Sequence, residues 1–189
     1  MEITFDLGIL AQGKSILPEA KRILLLSVSK LSRTVRPKAT LRRVGQRHVK
    51  YGLPSVFHRG SNLLENDQAL RVLLDTLTAL DAIQRRLRPS LPFLYNSGVY
   101  YARTEIWDTT SALYERGFGD CKSLSTSRCA ELEAYNQRCK SAFRFMPHAK
   151  GDIALTYHIL LLSDLGWECP SKVLGMGQDE NSYFKLTGS

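Results

Sequence analysis

The feature that most constrains the fold is a leucine-rich segment that ends at Leu87. From Leu70 onwards, leucine and isoleucine recur at intervals of three and four residues, which places them on one face of a helix. Asn62 to Glu65 resembles a helix-capping box, and Pro89 follows the last leucine. We therefore predict a long helix over this segment, with an apolar face that needs a core to pack against.

The C-terminal part of the chain predicts a small antiparallel sheet. Apolar runs at Ala142–Met146, Leu155–Leu162 and Trp167–Cys169 have the lengths of strands, and Asp164–Gly166 has turn composition. Upstream of the long helix, Ile3–Leu7 predicts a short strand. Helices followed by a run of strands are typical of an α+β fold.

Two shorter helices are also predicted. Pro18 is suited to the first turn of a helix, and the residues that would form its apolar face are Ala20, Leu24, Val28 and Leu31. A second helix is expected to begin after Asp108 or Thr109 and to end at Arg116, with Gly117 as its C-terminal stop.

The first sixty residues differ from the others in charge. The 189-residue chain has a net charge of +8, and no acidic residue occurs from Lys21 to Leu64. We predict a basic N-terminal extension over residues 1–60 and a folded domain over residues 61–189. A run of one sign repels itself unless it is neutralised, so residues 21–59 are expected to meet an acidic protein surface or the phosphates of a nucleic acid. The alternative is a solvated face. The candidate partner-binding residues are Arg36, Lys38, Arg42, Arg43, Arg47 and Lys50.

Several classes of protein are disfavoured. The N-terminus lacks the basic and apolar regions of a signal peptide, and the apolar runs are too short to span a membrane, so no membrane partner is expected. The chain contains no CxxC pair and its histidines are scattered, so we predict no metal site and no cofactor. Four cysteines in a chain of this length are expected to stay reduced. They are Cys121, Cys129, Cys139 and Cys169.

One of these cysteines has the local sequence of a nucleophile. Cys121 follows Gly117-Phe118-Gly119-Asp120 and opens a predicted helix that runs to Gln137. A thiol in the first turn of a helix lies at the positive end of the helix dipole, which favours the thiolate. The alternative is a small apolar side chain in a buried face. The predicted buried face of this helix contains Cys121, Leu124, Cys129, Leu132 and Tyr135.

His158 lies within the middle predicted strand. A histidine on an apolar strand is commonly a hydrogen-bonded core residue. A helix-start cysteine followed by a histidine on an antiparallel strand is, however, an arrangement used to activate thiol nucleophiles. The sequence therefore predicts that Cys121 and His158 lie close together.

The order of several motifs resembles the transglutaminase-like proteins found among tailed-bacteriophage genes. The similarity runs from about Asn62 to Met176 and leaves the first sixty residues uncovered. The motifs that carry it are Leu91–Tyr101, Trp107-Asp108, Arg116–Cys121, Tyr157-His158 and Pro170–Met176.

This resemblance implies a papain-like core, in which a helix with the cysteine packs on a small antiparallel sheet with the histidine. It implies thiol chemistry on amides, with Cys121 as nucleophile and His158 as base. Gly119, Asp120 and Trp107 fall in the matched motifs as supporting residues. The family has Glu-Asp-Pro-Ser where this chain has Glu168-Cys169-Pro170-Ser171, so the third catalytic position is occupied by Cys169.

That substitution weakens the expectation of catalysis. A neutral thiol does not stabilise an imidazolium as a carboxylate does. Glu168 is adjacent, but successive side chains of a strand point to opposite faces, and Asp164 lies in the turn. A carboxylate expected after the nucleophile is also replaced, by Lys122-Ser123.

Three hypotheses follow. The first is a structural component of a tailed-phage particle, made in the host cytoplasm and located in the virion beside other phage structural proteins. It would use the fold as a binding scaffold with a degraded site. The second is an active cysteine peptidase or transglutaminase that acts through a thioester. The third is a protein that binds nucleic acid, such as packaged DNA, electrostatically through residues 21–59.

Overall fold

The structure is a computed structural model that describes residues 2–13, 15–34, 38–53, 63–146 and 156–176. Within these ranges it is an α+β fold. Its helices are α1 (Pro18–Thr34), α2 (Leu63–Leu87), α3 (Thr110–Arg116), α4 (Cys121–Glu133) and α5 (Pro170–Val173). Its strands are β1 (Glu2–Asp6), β2 (Ala11–Gln12), β3 (Ser15–Ile16), β4 (Thr40–Val44), β5 (His48–Gly52), β6 (Tyr100–Tyr101), β7 (Ile106–Asp108), β8 (Phe118–Gly119), β9 (Cys139–Met146), β10 (Thr156–Ser163) and β11 (Gly166–Glu168).

The larger sheet has the strand order β4-β5-β1-β7. β1 pairs antiparallel with β5 and parallel with β7, with Phe5 opposite Val49 on one side and Trp107 on the other. The rings of Phe5 and Trp107 stack with centroids 5.3 Å apart. Sequence analysis predicted β1 but did not predict β4, β5 or β7.

The helices α1 and α2 bury their apolar faces in the same core as this sheet. Leu24 and Leu31 of α1 and Leu73, Leu77 and Leu80 of α2 are almost fully buried in it, as the periodicity predicts. The hydrophobic cluster contains residues of β1, α1, β5 and α2 together. The described part of residues 1–60 is therefore folded into the main core. The feature that distinguishes it from the rest of the chain is its charge.

The smaller sheet is antiparallel, with the order β11-β10-β9. Its strands match the three predicted from the sequence, although β9 begins three residues earlier, at Cys139. The turn at Asp164-Leu165 joins β10 to β11, and Ser163 pairs with Gly166. The other side of β10 pairs with β9 along its length. The sheet contacts α4 through both β9 and β10.

Helix α4 lies at the centre of the molecule. It contacts α2, α3 and α5 as well as the smaller sheet, so residues on all of its faces are buried. The prediction of a helix buried along one side was wrong for this reason. Its predicted extension to Gln137 was also wrong, because the helix ends at Glu133 and Tyr135 lies beyond it with 61% of its surface exposed.

The N-terminus of helix α3 is capped by side chains of α2. Its N-cap residue, Thr109, makes no side-chain capping hydrogen bond. Instead, the Thr110 N–H donates to Asp81 Oδ1 at 2.6 Å and the Ser111 N–H donates to Gln84 Oε1 at 2.7 Å. Both acceptors belong to α2, so two polar residues of that helix satisfy the free amides of α3. The C-terminal stop at Gly117 is confirmed, with φ of 78°.

Candidate functional site

The structure brings the three predicted site residues together where α4, β10 and α5 meet. His158 Nε2 lies 3.2 Å from Cys169 Sγ. The backbone N–H of Ile159, the next residue on β10, is directed at the sulfur of Cys121. The Cys121 and Cys169 thiols are near enough that ionisation of one raises the pKa of the other. The site thus has an imidazole in contact with the Cys169 thiol and a second thiol, Cys121, nearby.

Close packing before α4 sets the position of Cys121. Gly119 lies in β8, and a Cβ atom there would stand 2.4 Å from Leu113 Cδ1 of α3. Its lack of a side chain lets the two segments approach. Asp120 then caps α4, because its carboxylate accepts a hydrogen bond from the Lys122 N–H at 3.3 Å. Cys121 is therefore the first residue of the helix, as predicted.

The electrostatic surroundings of Cys121 do not favour the thiolate. Burial and the neighbouring Asp120 carboxylate raise the pKa of Cys121 from 9.0 to about 11. The Ile159 N–H and the Lys122 ammonium group oppose this shift without reversing it. The dipole argument from the sequence gave the opposite sign, since it included neither burial nor the adjacent carboxylate. Cys121 is protonated at neutral pH.

The contact between β10 and α4 uses a backbone group and two side chains one helical turn apart. The Ile159 carbonyl accepts a hydrogen bond from Ser125 Oγ at 3.2 Å, while the Ile159 N–H meets Cys121. Sequence analysis did not identify Ser125. Its position four residues after Cys121, on the same helical face, is a signal that would have indicated it.

Cys169 directly precedes α5 and is partly exposed. Burial raises the pKa of Cys169, while backbone N–H groups of Lys172 and Ser171 and the Lys172 charge act in the opposite direction. The thiol therefore faces His158 as a neutral group, at the chain position where the resembled family has an aspartate. The contact is a thiol–imidazole hydrogen bond in which the donor depends on the tautomer of His158.

The two nearby carboxylates are committed to other contacts. Glu168 Oε1 accepts hydrogen bonds from the Tyr95 hydroxyl and from Arg128 Nε, the latter at 3.0 Å. Asp164 accepts a hydrogen bond from the Arg138 N–H at 2.9 Å in the β10–β11 turn. Their positions match the expectation that neither carboxylate replaces the missing aspartate.

A buried ionic network lies one to two turns farther along α4. Glu131 is 1% exposed and accepts from Arg85 Nη2 at 3.0 Å and from the Leu94 N–H at 2.7 Å. Its second oxygen contacts Arg128, which also bonds Glu168. Sequence analysis missed this network, although the acidic residue between Ala130 and Leu132 in a buried helix was a signal for it.

Trp107 and Asp120 surround the start of α4. Trp107 is largely buried against Phe5, and Lys122 Nζ lies 5.8 Å from the centre of its indole ring. Lys122 also pairs with Asp120 and donates to the Thr104 carbonyl at 2.7 Å. These residues fix the first turn of α4.

Most of the basic residues that were predicted to bind another molecule form ion pairs or hydrogen bonds within this chain. Arg42 and Lys50 both pair with Glu2, and Arg47 pairs with Asp6 and Glu115. The carboxylates that neutralise the acid-free segment therefore come from outside it, which the argument from local charge did not consider. Arg43 donates to backbone carbonyls, Lys38 is exposed, and Arg36 lies outside the described residues.

Within the described ranges there is no group of three or more histidine, cysteine, aspartate or glutamate residues arranged to hold a metal ion. No helix of this part of the chain is both long and apolar enough to cross a membrane. Comparisons with protein-family models, with curated proteins and with solved structures find no match to this chain.

Proposed function

We propose that this protein is a structural component of a tailed-bacteriophage particle, in the capsid, neck or tail. Its α+β fold would be transglutaminase-like and would serve as a binding scaffold rather than as an enzyme. The phage part of this proposal is supported by the resemblance of residues 62–176. It predicts a virion location and contacts with other phage structural proteins.

One observation carries the scaffold part of the proposal. His158 Nε2 faces the Cys169 thiol at 3.2 Å, at the third position of the predicted triad. Loss of the charged third member of a triad lowers the rate by about 10⁴-fold even when the geometry is kept. The raised pKa of Cys121 acts in the same direction, because the thiolate is the nucleophilic form.

Replacing the nucleophile position in the phage genome tests this proposal. A Cys121→Ala phage should assemble in normal yield and infect normally, with the protein still present in washed particles. As a control, Glu131→Gln should reduce assembly, since it disrupts a buried ion pair of the fold. If Cys121→Ala particles contain the protein but do not mature or infect, the protein is an enzyme and the scaffold proposal fails.

A second candidate function is electrostatic binding of an acidic surface through α1. Lys21, Arg22 and Arg33 are exposed on this helix, and none forms an ion pair with a carboxylate of the described residues. Leu25 and Leu26 are about half exposed on the same helix. The structure thus points to α1 rather than the β4–β5 hairpin as the basic surface available to DNA or an acidic protein.

Two double variants with equal loss of charge separate the two surfaces. Arg22→Ala with Arg33→Ala should weaken DNA binding at low salt and reduce the salt slope by about one per cation removed. Arg42→Ala with Lys50→Ala should have a smaller effect, because both cations already pair with Glu2. Equal effects of the two variants, or no binding at low salt, would contradict this candidate.

A further inference from the structure

We propose that the reactive thiol of this site is Cys169, with His158 as its base, and that Cys121 is a structural residue. Cys169 would then be a modification site for small, soft electrophiles. This assignment does not depend on the phage role. It reverses the roles that the resemblance implies for the two cysteines.

The first support is the contact itself. His158 Nε2 lies 3.2 Å from Cys169 Sγ, within hydrogen-bonding distance for sulfur. The His158 side chain is 93% buried, with 7% exposed, so its ring is held in place by its surroundings. Cys169 is partly exposed and precedes a short helix at the surface. Cys121 is partly exposed as well, so exposure does not separate the two thiols; the contact of Cys169 with His158 does.

The second support is what holds Cys121. The backbone N–H of Ile159 lies near the Cys121 sulfur, at the contact between the start of α4 and β10. The adjacent Asp120 carboxylate disfavours a second negative charge at this position. Ser125 holds the same contact by donating to the Ile159 carbonyl. Cys121 thus lies as a neutral group at the contact between a helix and a strand.

The third support is the set of groups that stabilise charge on Cys169. Backbone N–H groups of Ser171 and Lys172, and the Lys172 ammonium group, favour the Cys169 thiolate, while burial disfavours it. Because burial prevails, the thiol is neutral before it reacts. His158 is therefore expected to take the proton during the attack and not before it.

Carbamidomethylation by iodoacetamide is a concrete example of the reaction at Cys169. The Cys169 sulfur forms a bond to the methylene carbon of iodoacetamide, the carbon–iodine bond breaks, and iodide leaves. The thiol proton moves to His158 Nε2 and then to water, which requires the tautomer with Nε2 unprotonated. No oxidant or further reactant is needed.

The pH dependence of this reaction involves a defined set of ionisable groups on the elements around Cys169. β10 contributes His158, and α5 contributes Lys172. The start of α4 contributes Asp120, Cys121 and Lys122. The nearest carboxylate on β11, Glu168, is paired with Arg128. Among these groups, His158 is the one whose ring nitrogen lies within hydrogen-bonding distance of the Cys169 sulfur.

Rates of iodoacetamide labelling at each cysteine test the proposal on the reduced full-length protein. Quenched time points and peptide mass spectrometry give the four rates separately. At neutral pH, Cys169 should react at least about tenfold faster than Cys121. His158→Gln should lower the Cys169 rate about tenfold or more at neutral pH, and the two proteins should converge at alkaline pH, where hydroxide removes the proton. His48→Gln serves as the control, because His48 lies in β5 of the larger sheet, where it contacts Asp6, whereas His158 lies in the smaller sheet.

Other labelling results would each contradict a specific proposal. Faster labelling of Cys121 than of Cys169 overturns both this inference and the inactive-scaffold proposal. Labelling of neither thiol above the rate of an unfolded peptide overturns this inference alone. A His158→Gln rate that stays low at alkaline pH shows that His158 controls access rather than the proton. If His158→Gln does not fold, the wild-type profile decides. A neutral base beside the thiol makes the Cys169 rate nearly independent of pH at neutral to mildly alkaline pH, whereas a rate that rises about tenfold per pH unit over this range reflects thiolate formed by hydroxide and overturns the inference.

Discussion

Polar groups are buried at both ends of α4, and they are stabilised in different ways. Near its C-terminal end, Glu131 is charged and is surrounded by Arg85 and Arg128. At its N-terminal end, Cys121 faces a backbone N–H and lies near a second thiol. The first arrangement keeps charges in the interior by pairing them. The second avoids charge on sulfur, because both Cys121 and Cys169 have raised pKa values.

The two ends of α4 are therefore expected to differ in how much they contribute to the stability of the fold. A buried charge that loses its partner is strongly destabilising, so the Glu131 network is expected to fix α4 against α2 and the segment at Leu94. A neutral thiol contributes one weak hydrogen bond. Substitution at the thiol end of α4 is therefore expected to cost much less stability than substitution at Glu131.

The largest effect is expected at Glu131. Glu131→Gln removes the charge that compensates Arg85 and Arg128 in the interior and should lower the free energy of unfolding by about 3–5 kcal/mol. Urea denaturation measures this value. Glu133→Gln, two residues away and exposed, is the control and should change stability by less than about 0.5 kcal/mol. Similar values for the two variants would contradict the structural role of the network.

A second test concerns a buried carboxylate beneath the middle of α4. Asp81 accepts from the Thr110 N–H, and burial raises the pKa of Asp81 from 3.8 to about 7. Between these pH values the folded state binds more protons than the unfolded state, so stability falls as the pH rises from about 4 to about 7. Asp81→Asn keeps the acceptor for Thr110 and removes this loss, which amounts to as much as about 4 kcal/mol.

Stability curves of both proteins across this pH range check the prediction. The Asp81→Asn curve should be flatter but not flat, because burial also raises the pKa of Asp108, to about 6, with the same sign. Asp164→Asn, in the exposed β10–β11 turn, should leave the slope unchanged. An unchanged slope in Asp81→Asn would show that Asp81 is ionised in the folded protein.

The smallest effect is expected at the thiol end. Ser125→Ala removes the hydrogen bond to the Ile159 carbonyl, and Cys121→Ala removes one thiol at the same contact, so each should cost about 1 kcal/mol. Thermal or urea unfolding measures both. Ser29→Ala, on the exposed side of α1, is the control for a serine substitution in a helix. A loss from Cys121→Ala as large as that from Glu131→Gln would contradict the difference between the two ends.

Periodicity in the sequence predicted the elements whose pattern is local. The leucines of α2, the strands of the smaller sheet and the glycine stop after α3 all follow from neighbouring residues. β4 and β5 escaped prediction, because three of the ten residues that form these strands are arginine or lysine. β4 pairs with β5 in a local hairpin, but the hairpin joins the sheet through the pairing of β5 with β1, which is distant in sequence.

The site was predictable in position but not in its electrostatics. The local sequence predicts that Cys121 and His158 lie close together, and the resemblance implies that position 169 lies beside His158. In the structure His158 Nε2 contacts Cys169 Sγ, and Cys121 lies nearby. The sign of the Cys121 pKa shift depends on burial beneath β10 and on the orientation of Asp120, which are properties of tertiary structure. The ion pairs of the basic residues with Glu2, Asp6 and Glu115 are likewise long-range contacts.

A direct titration of Cys121 tests the central claim that this position does not hold an activated nucleophile. The measurement uses a folded variant with the other three cysteines replaced by serine, and follows thiolate absorbance in the ultraviolet as the pH is raised. The account predicts a pKa above the ordinary value of 9.0, near 11. A Cys121 pKa below about 7, in the range of catalytic cysteines, would contradict it.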